Sequence, residues 1–332
     1  MPVKDLGMES LPSAERQSAQ FHQLAPENPA SSARELIEGL CESAARIDPK
    51  FFYDRLGSFL FAAITQTPEY YPTRSEAAIF KTYMRDIASH VGKVEALIDL
   101  GAADCVKGEA LFKALKPTQY VPVDISVDYL HDAVSRLTRT YPALDIVALG
   151  MDFSDRLVLP PQVTDHARLF FYPGSSIGNL SPETALPLLQ GLHAACADDG
   201  GVLIGVDRQK DPKTLVSAYD DALGITAAFN LNALRHANSI IGSDFDVSDW
   251  RHVALYDESR SRIEMHLEAR RDVTVKLPAA SRTFSAGERI HTECSYKYTP
   301  ESFKTLLEKA GFGRIKHWTD VNDHFSIFSA RA

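Results

Sequence analysis

The 332-residue sequence lacks the features that mark several large classes of protein. Its four cysteines (Cys41, Cys105, Cys196 and Cys294) form no CxxC pair, and no histidines accompany them at zinc spacing. A disulfide framework or a zinc module is therefore not predicted, and a reducing cytoplasm fits best. No apolar run is long enough to span a bilayer, and the N-terminus lacks the apolar core of a signal peptide.

Basic charge is also scarce. There are 35 lysines and arginines against 44 aspartates and glutamates, so the formal net charge is -9. This excess of acid argues against nucleic acid or an anionic membrane as the main partner. Hydrophobic residues make up 45% of the chain and charged residues 24%, which is an ordinary globular composition for one large domain or two smaller ones.

The N-terminal quarter reads as a polar lead-in followed by helices. Residues 1–30 are polar and we expect them to be loosely ordered. Apolar residues at helical spacing predict helices over 32–47, 57–65 and 76–91. Pro72 disfavours helix at the residue before it, so Tyr70 and Tyr71 are predicted to lie on an ordered turn.

The middle of the chain alternates between strands and helices, which predicts an α/β fold with a parallel sheet covered on both faces. The predicted strands are 96–101, 120–125, 144–149, 169–172 and 201–206. A C-terminal helix over 299–310 and two strands, 314–319 and 325–330, follow. Between residues 210 and 289 the alternation stops, and we interpret this segment as an insertion that forms a second, α+β domain with the N-terminal part.

An acidic residue and a glycine stand where such sheets bind nucleosides. Gly101 follows the first strand and Asp124 ends the second, at about the offset expected of an acid that binds the two ribose hydroxyls. The loop reads Gly-Ala-Ala and lacks the later glycines of a dinucleotide fingerprint. It therefore favours a cofactor without a pyrophosphate over a nicotinamide dinucleotide, although an ordinary strand–loop–helix crossover stays open.

Further candidates follow the next two strands. Asp152 and Phe153 could bind an adenine through a carboxylate and a stacking ring, although a loop cap explains them equally well. Asn179 ends a loop of small residues and offers a donor and an acceptor together, at the sheet edge where ligands bind. Spacing alone does not assign Glu293, since a lone glutamate is usually solvated, and Met265 could be simple core.

The sequence resembles the ergothioneine-pathway L-histidine Nα-methyltransferases over nearly all of the chain after residue 30. The resemblance rests on motifs in order: YDRLGSFLF, PEYYPTR, LIDLGAADCVK, YVPVDIS, PGSSIGNL, DPKTLVSAYDDALGITAAFNLN, IEMHLEA and GERIHTECSYKY. It implies a Rossmann-like class I methyltransferase sheet with a C-terminal antiparallel hairpin, S-adenosyl-L-methionine as the cofactor and L-histidine as the small-molecule substrate. It also implies a cytoplasmic enzyme, which we expect to be a monomer.

The resemblance assigns roles to particular residues of this chain. The cofactor-binding residues would be Gly101, Lys107, Asp124, Asp152 and Phe153. The positions that hold the amino-acid backbone would be Tyr53, Gly174, Asn179 and Tyr219, of which Tyr53 and Asn179 are the catalytic candidates. The positions around the imidazole would be Tyr70, Met265, Glu293 and Ser295.

Three positions depart from the family pattern. Ala103 and Ser175 stand where glycine is usual, so each adds a side chain near a ligand, and Leu56 replaces a more usual small or acidic residue. We expect a substrate-binding domain made of residues 31–74 and 210–297, because the strand–helix alternation stops in the second of these segments. Residues 75–209 and 298–332 would bind the cofactor.

The implied reaction is three successive methyl transfers to the α-amino group, giving the trimethylated betaine hercynine. A sulfonium methyl is already activated, so no metal is expected. Tyr53 is a candidate for relaying the amine proton. Two alternatives stay open: a methyltransferase of the same fold for another amino acid such as tryptophan, and a non-catalytic homologue that binds cofactor and amino acid.

Overall fold

The computed structural model describes residues 19–24, 29–153, 157–197, 199–278 and 280–332. The helices are α1 (Pro29–Cys41), α2 (Arg55–Ile64), α3 (Pro72–Val91), α4 (Val106–Leu115), α5 (Val127–Thr140), α6 (Pro182–Ala195), α7 (Pro212–Tyr219), α8 (Ile225–Ile241) and α9 (Pro300–Lys309). The strands are β1 (Gln20–Gln23), β2 (Ala96–Leu100), β3 (Gln119–Asp124), β4 (Asp145–Gly150), β5 (Arg168–Tyr172), β6 (Gly201–Asp207), β7 (Trp250–Asp257), β8 (Arg262–Ala269), β9 (Val273–Leu277), β10 (Ala280–Phe284), β11 (Arg289–Tyr296), β12 (Gly313–Thr319) and β13 (Phe325–Arg331).

Eight of these strands form one sheet in the order β1-β4-β3-β2-β5-β6-β13-β12. The pairs from β1 to β6 are parallel, whereas β13 runs antiparallel to both β6 and β12. The carboxyl ends of β2 to β6 therefore meet along one edge. This order confirms the predicted α/β sheet with its C-terminal antiparallel hairpin.

Both faces of the sheet are covered by apolar side chains. Helices α3, α4 and α5 pack on one face around residues such as Ile79 and Leu111, which are fully buried. Helices α6 and α9 pack on the other face around Leu189 and Phe303. The central strands are buried on both sides and thus read as continuous apolar runs, which explains why they could be predicted from the sequence.

A second body of structure has its own core. Helices α1, α2, α7 and α8 pack against the antiparallel sheet β11-β8-β7 and the hairpin β9-β10. The core of this body includes Leu40, Phe52, Leu234, Trp250 and Leu267. Its side chains come from two separate parts of the chain, one before α3 and one between β6 and α9, because the insertion folds back on the N-terminal helices.

The structure differs from the sequence-based expectations at α1, at β1 and in the insertion. The helix expected over 32–47 ends at Cys41. Residues 20–23 of the expected lead-in form a strand at the sheet edge, paired with β4, whereas residues 1–18 and 25–28 lie outside the described residues. Strands β10 and β11 were not predicted. The buried face of β11 carries Thr292, Glu293 and Ser295, so it lacks the apolar alternation that marks a strand.

None of the helices in the described ranges has the length and apolar character needed to cross a membrane.

Candidate active site

The ends of β2 and β3 form the first part of the site. Gly101 has a φ of +71°, and the space where a Cβ would lie has no neighbour within 4 Å. Asp124 is buried at the end of β3, where its two carboxylate oxygens accept from the backbone N–H groups of Ala103 and Ser126, each at 2.8 Å. Burial raises the pKa of Asp124, while these backbone bonds lower it in part. The carboxylate is thus rigidly oriented beside open space, as a ribose site requires.

The loop after β4 completes this part of the edge. Met151 N–H donates to the Asp124 carbonyl at 3.0 Å, so the ends of β3 and β4 are joined. Phe153 packs its ring edge-on against Tyr172 of β5, with centroids 5.6 Å apart. Asp152 and Phe153 therefore follow the strand next to Asp124, at the position predicted for an adenine.

Lys107 links the cofactor side of the site to the loop after β5. Its ammonium donates to Glu76 Oε2 at 2.7 Å, and Glu76 Oε1 accepts from the Gly174 N–H at 2.8 Å. Glu76 is only 2% exposed and was not predicted as a site residue. The predicted cofactor residue Lys107 and the predicted substrate residue Gly174 are thus held by one buried carboxylate.

A cavity opens where this sheet edge meets the second body of structure. All eight predicted substrate residues line it: Tyr53, Tyr70, Gly174, Asn179, Tyr219, Met265, Glu293 and Ser295. They come from six separated segments of the chain, so only the tertiary structure brings them together. Their roles stay a prediction, because proximity alone does not assign a function.

Tyr53 is positioned by the start of α2. Asp54 caps that helix by accepting from Gly57 N–H at 2.7 Å, and it accepts from the Asn232 side chain at the same distance. The Tyr53 carbonyl accepts a long bond from the Ser126 hydroxyl, at 3.4 Å. The backbone N–H of Ser126 also donates to Asp124, so Ser126 contacts both Tyr53 and the predicted ribose-binding acid.

A bulge in β11 orients the polar wall of the cavity, which is formed by Glu293 and Ser295. The register between β11 and β8 shifts between His291 and Glu293, after which Glu293 lies opposite Met265. Bulges redirect side chains and are common beside active sites. Glu293 and Ser295 are two residues apart on the strand, so both point to the same face.

Burial dominates the electrostatics of the cavity. It raises the pKa of Glu293 to about 7, against a smaller lowering by Lys297. Among the described residues, none donates a hydrogen bond to the Glu293 carboxylate. Burial also raises the pKa values of Tyr53, Tyr70 and Tyr219 well above the usual range. These three phenols are therefore neutral, and Tyr53 can relay a proton only as a hydroxyl, never as a stored phenolate base.

A buried ion network lies next to the cavity and contacts two of its lining residues, Tyr219 and Ser295, through Lys297. Asp207, at the end of β6, binds Lys210 at 2.6 Å and Lys297 at 2.9 Å and accepts from the Tyr71 hydroxyl at 2.8 and 2.9 Å. Burial would raise the pKa of Asp207, but the two lysines outweigh it and the pKa lies below its usual range. The Asp207 backbone N–H donates to Ser175 Oγ at 2.8 Å.

Sequence reasoning missed several of these residues. The aromatic wall contributed by Phe61 and Phe229 lies on helices whose apolar stripes read as ordinary core. Lys297 had an available signal, since it continues the alternating row of Glu293 and Ser295. Asp207 had a weaker one, as an acid that directly follows an apolar strand.

This arrangement is that of a class I S-adenosylmethionine-dependent methyltransferase: a sheet with a terminal antiparallel hairpin, an acid at the end of β3, and a cavity beside the same edge. The family model of histidine-specific, S-adenosylmethionine-dependent methyltransferases matches residues 32–332. The chain belongs to this family.

Curated relatives agree with that assignment. A histidine N-alpha-methyltransferase of Mycolicibacterium smegmatis is 37% identical over 300 residues, covering 89% of this chain and 92% of the relative. The ergothioneine biosynthesis protein 1 of Neurospora crassa is 31% identical over 82% of this chain, which matches 32% of that longer protein. A 4-dimethylallyltryptophan N-methyltransferase of Arthroderma benhamiae is 26% identical over 87% of this chain and 90% of its own length.

The residues at the sheet edge fit S-adenosylmethionine. The oriented carboxylate of Asp124 suits ribose hydroxyls, and the space in front of Gly101 admits a ligand close to the backbone. Both positions where the family usually has glycine have left-handed backbone here, with φ of +46° at Ala103 and +61° at Ser175. This backbone explains the preference for glycine, because a Cβ is strained there.

The two departures predict opposite effects on stability. Ala103→Gly should raise the free energy of unfolding by about 0.5–1 kcal/mol, because relief of left-handed strain outweighs the added freedom of the unfolded chain. Ser175→Gly gains the same relief, but the buried N–H of Asp207 loses its acceptor at a cost of about 1–3 kcal/mol, so the free energy of unfolding should fall by roughly 0.5–2 kcal/mol. Denaturant unfolding of both variants tests this, and stabilisation by both would contradict the role given to Ser175 Oγ.

The raised pKa of Glu293 predicts a pH dependence of stability. The folded state holds the Glu293 proton up to about pH 7, above the ordinary value of 4.5, so the free energy of unfolding should fall as pH rises through this interval. Glu293→Gln should lack this loss. The difference between variant and wild type, without ligands, should grow by at most roughly 3 kcal/mol between pH 5 and 8. Parallel stability curves would show that Glu293 titrates normally.

Proposed function

We propose that this protein methylates the α-amino group of L-histidine, in three successive transfers that give the trimethylated betaine. The observation that carries the choice of substrate is the Glu293 carboxylate, buried in the cavity without a hydrogen-bond donor among the described residues. A buried carboxylate of this kind is costly unless a ligand supplies the donor. An imidazole N–H is such a donor, and no apolar amino-acid side chain can replace it.

We also propose that one body of structure binds the amino acid and the other binds the cofactor. Residues 31–74 and 210–297 would bind the amino acid, and residues 75–209 and 298–332 would bind the cofactor. Gly174 and Asn179 belong to the cofactor-binding part yet line the cavity with Tyr53 and Tyr219. The amine would therefore be held at the boundary, beside the sheet edge that carries Asp124.

When bound, S-adenosylmethionine supplies an electrophilic methyl group on a sulfonium sulfur. The contribution of the chain is to orient the amine and to exclude water, which can account for a large part of a rate enhancement. Asn179 offers a donor and an acceptor to the amino-acid backbone. The rings of Phe61 and Phe229 pack around Tyr53, with centroids 5.8 and 5.7 Å from its ring, and give this side of the cavity an apolar wall.

The amine must lose a proton before each transfer, because an α-amine has a pKa of about 7.7–8.0 and is largely protonated near neutrality. The Tyr53 hydroxyl can accept a hydrogen bond from the ammonium, take up its proton and give its own proton to a water molecule, which carries it to solvent. The aromatic faces around it suit the cation that grows with each methyl group, since a quaternary ammonium is stabilised by π systems and cannot donate hydrogen bonds.

A tryptophan-type substrate is the second candidate, because one relative of this chain is a 4-dimethylallyltryptophan N-methyltransferase. Glu293 and Met265 favour histidine, because they face each other across β11 and β8 and leave less room for an indole. The direct test is mass spectrometry of products from L-histidine, with the other amino acids as competitors. A product with three added methyl groups supports the proposal, and turnover of another amino acid in preference contradicts it.

Asp124→Ala should weaken S-adenosylmethionine binding by roughly 1.5–3 kcal/mol, the worth of hydrogen bonds to a charged group. Titration calorimetry measures the affinity directly. Asp104→Ala is a matched control, because Asp104 is an exposed residue in the same loop whose carboxylate, within the described ranges, accepts only from Val106 N–H. Equal affinity of the Asp124 variant and the wild type would refute the ribose assignment.

Glu293→Ala should raise the KM for histidine and relax discrimination against larger aromatic amino acids. The substitution deletes a charge-assisted acceptor and opens volume at the same place. A site that hydrogen-bonds its substrate rejects analogues far better than an apolar pocket does. Competition kinetics should therefore show a larger loss of kcat/KM for histidine than for tryptophan or phenylalanine. An unchanged ratio of histidine to tryptophan turnover would mean that Glu293 does not contact the imidazole.

A further inference from the structure

Lys297 lies directly behind the polar wall of the cavity. Its side chain is completely buried, and its ammonium contacts three oxygens: Asp207 Oδ2 at 2.9 Å, Tyr219 Oη at 2.9 Å and Ser295 Oγ at 2.7 Å. An ammonium has three hydrogens to donate and accepts none. All three hydrogens are therefore used, and two of them occupy lone pairs of hydroxyls that line the cavity.

Only one of the two hydroxyl hydrogens of Tyr219 and Ser295 has an acceptor among the described residues. The two oxygens are 2.8 Å apart, so one hydroxyl hydrogen lies between them. The other has no acceptor in the part of the chain that the structure describes, and Lys297 is itself only a donor. Whichever hydroxyl keeps it, this remaining hydrogen points to the cavity, where a ligand or a water molecule must accept it.

Glu293 needs a hydrogen-bond donor, whereas the hydroxyl pair needs an acceptor. It lies two residues before Ser295, about 7 Å away along the strand, with its side chain on the same face. As a carboxylate it needs a donor from the ligand. One wall therefore presents an acceptor and a donor side by side, separated by enough room for one five-membered ring.

We propose that Lys297 is a positioning residue for substrate recognition: by donating to both Tyr219 and Ser295, it makes this hydroxyl pair a hydrogen-bond donor toward the cavity. A neutral imidazole matches the wall, with its N–H toward Glu293 and its lone-pair nitrogen toward Ser295. This inference rests on the proposed function and adds a reason why the site requires both ring nitrogens.

The test is titration calorimetry with S-adenosylhomocysteine bound, using L-histidine and the two pyrrolylalanines. Each pyrrolylalanine keeps an N–H at one ring position and has C–H in place of the lone-pair nitrogen. Wild type should bind histidine about tenfold or more tightly than the better pyrrolylalanine, because the donor otherwise stays unsatisfied. In Lys297→Met the hydroxyls are free to reorient, and the ratio should fall to within about threefold.

Lys210→Met is the matched control. Lys210 is also buried and also binds Asp207, yet it bonds Tyr71 and the Arg208 carbonyl instead of the cavity hydroxyls. If the lysines only neutralise Asp207, both variants should bind the ligands with the same ratio, and that result would overturn the proposal. If Lys297 sets the polarity of the wall, only Lys297→Met should lose discrimination.

In Lys297→Met, Asp207 keeps its ion pair with Lys210, so no buried charge loses its partner. One further variant guards against misfolding. Ser295→Ala should also lower the ratio, and adding Lys297→Met to it should then change the ratio little, because both act through one hydroxyl. Full discrimination in Ser295→Ala would overturn the proposal. Failure of wild type to methylate histidine would instead refute the proposed function.

Discussion

The buried carboxylate of Asp207 is the contact on which the rest of the site depends. It lies at the end of β6, fully buried, where an unpaired charge would be prohibitively costly. Its partners come from separate parts of the fold: Tyr71 at the start of α3, Lys210 before α7, and Lys297 after β11. Because these partners belong to both bodies of structure, the network joins the sheet edge to the second body of structure.

That arrangement matters because the cavity belongs to neither body alone. The loop after β5 contributes Gly174 and Asn179, whereas Tyr53, Tyr219 and Glu293 come from the N-terminal segment and the insertion. The turn that ends at Asn179 lies so close to β11 that a Cβ at Gly178 would be 2.8 Å from the Tyr296 carbonyl. Transfer of a methyl group depends strongly on alignment, so a rigid boundary serves the chemistry.

The site departs from the rules that stabilise the rest of the molecule. Ala103 and Ser175 have left-handed backbone, Glu293 is buried with no donor among the residues that the structure describes, and β11 turns polar residues inward. Functional sites are where local preferences are expected to be broken. Here the departures share one consequence: backbone groups, an acceptor and hydroxyls face the ligand-binding space instead of satisfying one another.

The sequence alone determined the sheet, because strands buried on both faces are continuous apolar runs, and its motifs determined the family and the candidate residues such as Asp124 and Glu293. It could not reveal β11, whose inward face is polar, nor β1, which is a short edge strand within a polar segment. It also gave no sign that Lys297 and Asp207 are in contact, because their positions in the chain differ by 90. Only the tertiary structure decided that they meet behind the cavity, because a buried ion pair is defined by which surfaces pack together and not by local spacing.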